Sequence, residues 1–107
     1  IKLSDFQLPY SPNNLVVEGA GGLYVPINED KFIIDLIKHL NLPVVLVVKD
    51  YLGCINHSIL SVKALESNNI VLDTVVFNGP FSSATERVIR RHLPEEVACL
   101  NIPWLHK

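Results

Sequence analysis

The sequence contains no P-loop, because the pattern G-x-x-x-x-G-K-[ST] occurs nowhere among its 107 residues. It contains no G-x-S-x-G pattern either, so a serine hydrolase has no support. A basic tract is also missing and the net charge is -2, which argues against binding to nucleic acid or to an anionic membrane. No apolar run approaches the ~20 residues of a membrane span, and no signal peptide opens the chain. These absences favour a globular protein without a membrane partner.

The chain has two cysteines and no methionine. Cys54 and Cys99 lie far apart without the spacing of metal ligands, which indicates reduced thiols in a cytoplasmic protein. Because the chain starts at Ile1, in what reads as mid-domain sequence, we expect a fragment of a longer protein. Hydrophobic residues make up 49% and charged residues 19%, which predicts a single globular domain over residues 1–107 with many buried segments.

A glycine-rich stretch follows the first predicted strand. Leu15–Val17 is a short apolar run that predicts a strand, and it ends in Glu18. Gly19, Gly21 and Gly22 follow, and glycines let backbone N–H groups approach an anion closely. In nucleotide-handling enzymes an acid at this place often holds Mg²⁺. Taken alone, the stretch fits a strand with a tight turn equally well.

The rest of the chain alternates between helical and strand patterns. Five consecutive apolar residues at Val44–Val48 indicate a strand buried on both faces, as in parallel sheets covered by helices. The order predicts an α/β fold with a parallel sheet and helices on both faces. Leu23–Ile27 can form an extended piece. The predicted helices are Lys31–Leu40 with a cap at Asn28 or Asp30, Ile55–Ser67 and Ala84–Leu93, and the further strands run from Leu72 or Asp73 to Phe77 and over Val97–Ile102.

Polar or small residues follow each predicted strand, where ligands bind in open parallel sheets. Lys49 and Asp50 have loop chemistry without a recognised spacing. Asn78 is open to two interpretations, a ligand-binding residue or an ordinary turn residue. Asn56 and His57 can equally be helix-capping residues, and His57 lacks the second ligand at i+4 that a metal site would need.

Four motifs resemble the dethiobiotin synthetase family, in the family's order and approximate spacing. The string L-G-C-I-N-H is the most specific of them, whereas E-G-A-G-G alone would also fit related P-loop synthases. The resemblance covers roughly residues 14–105. The motifs are Val17–Gly22, Leu42–Val48 leading into Leu52–His57, Val76–Asn78, and Ile102–Leu105.

The resemblance implies a P-loop NTPase-like fold of which this chain would be the C-terminal portion. It implies an ATP-dependent cyclo-ligase of biotin biosynthesis that acts as a homodimer. The implied substrates are 7,8-diaminopelargonic acid, CO₂ and ATP, with Mg²⁺ as cofactor. One amine forms a carbamate, ATP phosphorylates it, and the second amine closes the ureido ring with loss of phosphate.

The resemblance also implies roles for single residues. Glu18 would share the Mg²⁺ that bridges the ATP phosphates, and Asn78 would hydrogen-bond the adenine. The backbone at a helix N-terminus would receive the substrate carboxylate, which suits the positive end of a helix dipole. The residues around the phosphates would be Gly19, Gly21 and Gly22, those around the base Pro103, Trp104 and Leu105, and those around the carboxylate Gly53, Cys54, Ile55 and Asn56.

The sequence departs from the family in what it lacks. The P-loop, the other Mg²⁺-binding acid and the lysine near the carbamate belong to the family's N-terminal half, and a family tyrosine is replaced by a segment that carries Arg87. We therefore expect the C-terminal half of such an enzyme, inactive by itself. Two alternatives remain: another P-loop relative, such as a cobyrinate-type amide synthase or a partition ATPase, and a non-catalytic α/β module.

Overall fold

The computed structural model describes residues 1–103 and divides the chain into two compact units. The first unit is Ile1–Leu42, and the second begins at Pro43. Regular structure is unevenly distributed between them, because all the strands named in the structure belong to the second unit. Each unit is therefore described by itself.

The first unit contains a single turn of 3₁₀-helix, Leu3–Asp5, and the helix α1, Ile33–Leu40. Helix α1 begins after Phe32, whose N–H donates a hydrogen bond of 2.8 Å to the Asp35 carboxylate. The predicted cap at Asn28 or Asp30 is wrong. The Asn28 side chain instead accepts a hydrogen bond of 2.8 Å from the Asp30 N–H, within the turn that precedes the helix.

The predicted strand over Leu15–Val17 is also wrong, because the structure has no regular secondary structure at these residues. All three side chains are exposed, and Val16 is 89% exposed. A strand needs a neighbour that takes up its backbone hydrogen bonds, and the strand pairs within residues 1–103 all lie in the second unit. The extended piece expected at Leu23–Ile27 is reduced to one antiparallel bridge, between Pro26 and Phe32.

The second unit is a three-stranded parallel sheet with two helices. Each element predicted for it is confirmed, with ends that differ from the prediction by at most two residues. The strands lie in the order β1-β2-β3, and each parallel neighbour is reached through a helix. No helix within residues 1–103 is long and apolar enough to cross a membrane. The elements are β1 Val44–Lys49, α2 Cys54–Ser67, β2 Leu72–Asn78, α3 Ser83–Arg91 and β3 Ala98–Ile102.

The core of the second unit lies between the sheet and its two helices. Helices α2 and α3 contact each other, so they cover the same face of the sheet. The ring of Phe77 lies at the centre of this core, edge-on to Phe81 at 5.1 Å and beneath the Arg90 guanidinium at 5.1 Å. Burial of each such side chain stabilises the fold by about 1.5–3 kcal/mol. The largest fully buried side chains are Val62, Leu65, Val75, Phe77 and Ile89.

The prediction that β1 is buried on both faces is wrong. Val48 is buried, but Val45 and Val47 are 58% and 59% exposed. Side chains alternate between the faces of a strand, so these two valines share the face opposite Val48. A continuous apolar run shows that a strand is apolar on both faces, but it cannot show which face is covered. In the parallel register, Val47 lies beside Val76 of β2.

Candidate functional site

The carboxyl ends of β1 and β2 form an open cleft in the second unit. The cleft has a volume of about 290 Å³ and is lined by Lys49, Asp50, Asn78 and Pro80. Lys49 and Asn78 are direct partners in the parallel register of the two strands, so their side chains leave the same face of the sheet. The edge of the sheet at which parallel α/β folds bind ligands therefore carries a cation, a carboxylate and an amide.

Asn78 is the last residue of β2, at the carboxyl end of the strand, as the sequence predicted. Its side chain is half-buried against the cleft. A side-chain amide offers one acceptor and two donors in a plane, which matches the edge of a nucleobase. The next residue still follows β3, because the Gly79 N–H donates a hydrogen bond of 2.7 Å to the carbonyl of Ile102, and Gly79 has a left-handed φ of 83°.

Asp50 is a cleft residue to which the sequence assigned no role. Its Oδ2 accepts a hydrogen bond of 2.9 Å from the backbone N–H of Ser82, the residue that caps α3. Its Oδ1 lies 3.9 Å from Sγ of Cys54, the first residue of α2. The available sequence signal for Asp50 was its position directly after the apolar run of β1. The partner 32 residues later could not be read from the sequence.

The N-terminus of α2 holds the residues predicted for the substrate carboxylate. Gly53 caps the helix with φ of 94°, a left-handed conformation that favours glycine. The Cys54 side chain is 3% exposed, and its N–H donates a hydrogen bond of 3.0 Å to the Tyr51 carbonyl. Helix geometry leaves the N–H groups of Ile55 and Asn56 without an intrahelical partner, and both side chains are exposed. An anion here would therefore meet Gly53, Ile55 and Asn56, with Cys54 behind them.

An aromatic pair flanks this helix end. The Tyr51 hydroxyl and Nδ1 of His57 are 2.8 Å apart, which fixes the imidazole beside Gly53. A Cβ atom added at Gly53 would lie 3.4 Å from Cε1 of His57. The space above Gly53 is therefore bounded by the imidazole, and a larger side chain would fill it.

In the first unit, Glu18 and the glycines form an exposed loop. Gly21 has φ of 89°, and a Cβ added there would lie 2.8 Å from Cγ2 of Val25, so no larger residue fits without a shift. A Cβ at Gly19 would meet a side-chain atom at 3.3 Å, whereas one at Gly22 would meet nothing within 4 Å. The shape of the loop thus depends on Gly21, because its φ and its closeness to Val25 both exclude a larger residue.

The carboxylates within residues 1–103 show how well a magnesium ion would fit this part of the chain. Residues 1–103 contain no group of three or more His, Cys, Asp or Glu side chains that could hold a metal. Mg²⁺ in nucleotide sites takes one or two carboxylates and obtains its other ligands from phosphates and water. The exposed carboxylate of Glu18 fits one such ligand and does not form a metal site by itself.

The residues predicted to flank the base are only partly described. Pro103 is exposed directly after β3. The predicted positions Trp104 and Leu105 lie outside the described residues. Of the residues predicted to contact the base, the structure therefore describes Asn78 and Pro103.

The chain matches the model of a family described as AAA domain over residues 1–107. It is 43% identical over 93 residues to the ATP-dependent dethiobiotin synthetase of Cytophaga hutchinsonii, covering 86% of this chain and 45% of that protein. It is 51% identical over 98 residues to the biotin biosynthesis bifunctional protein of Bordetella avium, covering 92% of this chain and 21% of the relative. The dethiobiotin synthetase of Fusobacterium nucleatum is 55% identical over 68 residues, 63% of this chain and 31% of that protein.

These matches confirm the resemblance seen in the sequence motifs. Relatives named dethiobiotin synthetase share 41% to 55% of the aligned residues. The family has a P-loop NTPase-like α/β fold, and the parallel sheet of the second unit agrees with it. The chain spans less than half the length of these relatives.

Proposed function

Because this chain belongs to the AAA domain family, we propose that it forms part of an ATP-dependent dethiobiotin synthetase. The observation that carries the proposal is its similarity to proteins of that name over as much as 86% of its residues. The other P-loop synthases and the non-catalytic module that the sequence left open have no comparable support. The whole enzyme would convert 7,8-diaminopelargonic acid, CO₂ and ATP to dethiobiotin, ADP and phosphate.

The reaction forms three bonds in turn, first in the carbamate, then to phosphorus and finally in the ring. A carbamate formed from one amine and CO₂ attacks the γ-phosphorus of ATP, and ADP leaves. The second amine then attacks the carbonyl carbon of the mixed anhydride, and phosphate leaves as the ureido ring closes. The protein chiefly positions the reactants and offsets developing charge, because phosphoryl transfer needs little covalent help.

Asn78 would bind the base of ATP in the cleft at the ends of β1 and β2. Its amide can accept from the exocyclic amino group of adenine and donate to a ring nitrogen. The cleft supports this assignment because Asn78 and Pro80 line it together. Pro103, Trp104 and Leu105 would flank the base, as the family resemblance implies.

Glu18 would be the protein ligand that this chain supplies to Mg²⁺, beside the backbone of Gly19, Gly21 and Gly22. The metal, when bound with ATP, would neutralise charge on the transferred phosphoryl group. Glu18 would hold one coordination position as a carboxylate. The glycines would leave room for the phosphates, and Gly21 keeps the loop in a shape that a side chain would disturb.

The N-terminus of α2 would receive the carboxylate of the diaminopelargonate. The N–H groups of Ile55 and Asn56 and the positive end of the helix dipole favour an anion at this place. Cys54 would support the turn through its backbone, since its thiol is buried. In a cytoplasmic homodimer, this helix end would serve the substrate bound mainly by the partner subunit.

The proposal is tested by incubating the full-length protein with 7,8-diaminopelargonic acid, carbon-13 bicarbonate and MgATP. Mass spectrometry should find dethiobiotin with the label in its ureido carbonyl, and omission of any one substrate should abolish the product. ATP hydrolysis that is independent of the diamine, with no labelled product, would identify a different P-loop synthase or ATPase.

A further inference from the structure

The segment after Asn78 forms one wall of the cleft, and three contacts hold it. The Gly79 N–H donates a hydrogen bond of 2.7 Å to the carbonyl of Ile102. The ring of Phe81 packs edge-on against Phe77 in the core at 5.1 Å. The third contact is the hydrogen bond of 2.9 Å from the Ser82 N–H to the Asp50 carboxylate.

The third contact differs from the other two in kind. A backbone pair and the half-buried ring of Phe81 hold the segment against β3 and the core, whereas a cleft-lining side chain holds it against the segment that follows β1. Asp50 therefore connects the two chain segments that line the cleft, the one after β1 and the one after β2. A hydrogen bond to a charged acceptor is also stronger than one between neutral groups, by roughly a factor of two.

We propose that Asp50 is a positioning residue for the nucleobase, because its hydrogen bond to the Ser82 amide fixes the wall formed by Asn78 and Pro80. The inference rests on the proposed binding of ATP in this cleft. Without this hydrogen bond, the segment from Gly79 to Ser82 still contacts β3 but no longer contacts the segment that follows β1. The Asn78 amide then spends less time at the angle that the base requires, so base binding weakens while phosphate binding does not.

The test measures dissociation constants of the full-length protein for MgATP and for magnesium tripolyphosphate, which lacks the base. Asp50→Ala should weaken MgATP binding about five- to twentyfold, less than the full loss of a hydrogen bond to a charged group, because the lost bond lies within the protein and only part of its free energy reaches the base contact. Tripolyphosphate binding should stay within a factor of about two of wild type. Asp50→Asn keeps an oxygen that can accept from Ser82 and should restore most of the affinity for MgATP.

Two further variants separate the hydrogen bond from the charge and from protein stability. Asp73→Ala removes an exposed aspartate whose side chain is bonded to Thr74, and it should leave both constants unchanged. Ser82→Pro removes the N–H donor at a residue whose φ of -59° suits proline, while Ser82→Ala keeps that donor. Ser82→Pro should weaken MgATP binding and Ser82→Ala should weaken it less, because the backbone donor is the group that Asp50 binds.

A double variant, Asp50→Ala with Ser82→Pro, shows whether the two residues affect MgATP binding through one hydrogen bond or independently. If Asp50 and Ser82 act through one hydrogen bond, adding Ser82→Pro to Asp50→Ala should cause little further loss of MgATP affinity. Additive losses, equal losses for MgATP and tripolyphosphate, or an unchanged MgATP constant in Asp50→Ala would overturn the inference. If Asp50→Ala does not fold, the Ser82→Pro and Ser82→Ala pair gives the same answer. If the wild-type protein binds MgATP no more tightly than magnesium tripolyphosphate, the base contributes no affinity. That result would instead contradict the proposed function.

Discussion

Two apolar segments of this chain look alike in sequence and behave differently in the structure. Leu15–Val17 leads into Glu18, and Val44–Val48 leads into Lys49. The first segment is exposed and irregular, whereas the second forms β1 and pairs in parallel with β2 along its whole length. The difference lies in the neighbours, because β2 supplies hydrogen-bonding partners for β1 and no strand does so for Leu15–Val17 within residues 1–103.

The comparison shows that a strand pattern in sequence is conditional on a partner. Backbone groups of an isolated strand gain nothing over their hydrogen bonds to water, so β-branched residues alone do not hold an extended conformation. A tight loop depends less on distant partners. Gly21 adopts φ of 89° beside Val25, and that geometry is set by residues of the same unit.

The largest expected contrast is in stability. In the 107-residue chain, Phe77→Ala should lower the free energy of unfolding by about 3–5 kcal/mol, because it leaves a cavity at a ring that is fully buried. Val16→Ala should change it by less than about 0.5 kcal/mol, because Val16 is exposed. Urea unfolding followed by circular dichroism measures both. A cost for Val16→Ala approaching that of Phe77→Ala would mean that the first segment is packed after all.

The next contrast is between two carboxylates of the first unit, Glu18 and Glu29, in their effect on catalysis. Glu18→Gln in the full-length protein should lower the rate of dethiobiotin formation by about 10²–10³, because it removes charge from the metal ligand set. Glu29→Gln removes another exposed carboxylate of the same unit and serves as the control, with no expected change. Activity of Glu18→Gln within about threefold of the control would show that Glu18 is not a ligand.

A smaller and more selective effect is expected at the N-terminus of α2. Gly53→Val should raise KM for diaminopelargonate by about tenfold or more and leave KM for ATP unchanged, because it fills the space beside His57. Gly53→Ala shares the unfavourable φ of 94° but adds a single methyl group at 3.4 Å from Cε1 of His57, so its effect should be smaller. Equal changes in both KM values would show that the variant disturbs the fold and not a substrate contact.

The sequence predicted the second unit well because its signals are local. The apolar run of β1, the helical spacing of α2 and Pro94 after α3 each reflect one segment and its neighbours in the chain. It missed the open face of β1, since Val45 and Val47 look the same whether or not a layer covers them. It also missed the hydrogen bond between Asp50 and Ser82, because a contact across 32 residues appears only when two loops are brought to one edge of the sheet.

The position of Asn78 was predictable because it follows a clear strand, but its role depends on the cleft around it. A pair of KM values for the full-length Asn78→Ala variant therefore tests nucleotide binding in this cleft most directly. If Asn78 binds the base, KM for ATP should rise about tenfold, from loss of hydrogen bonds to the base, while KM for diaminopelargonate should stay at the wild-type value. An unchanged KM for ATP would contradict the claim that this cleft holds the nucleotide.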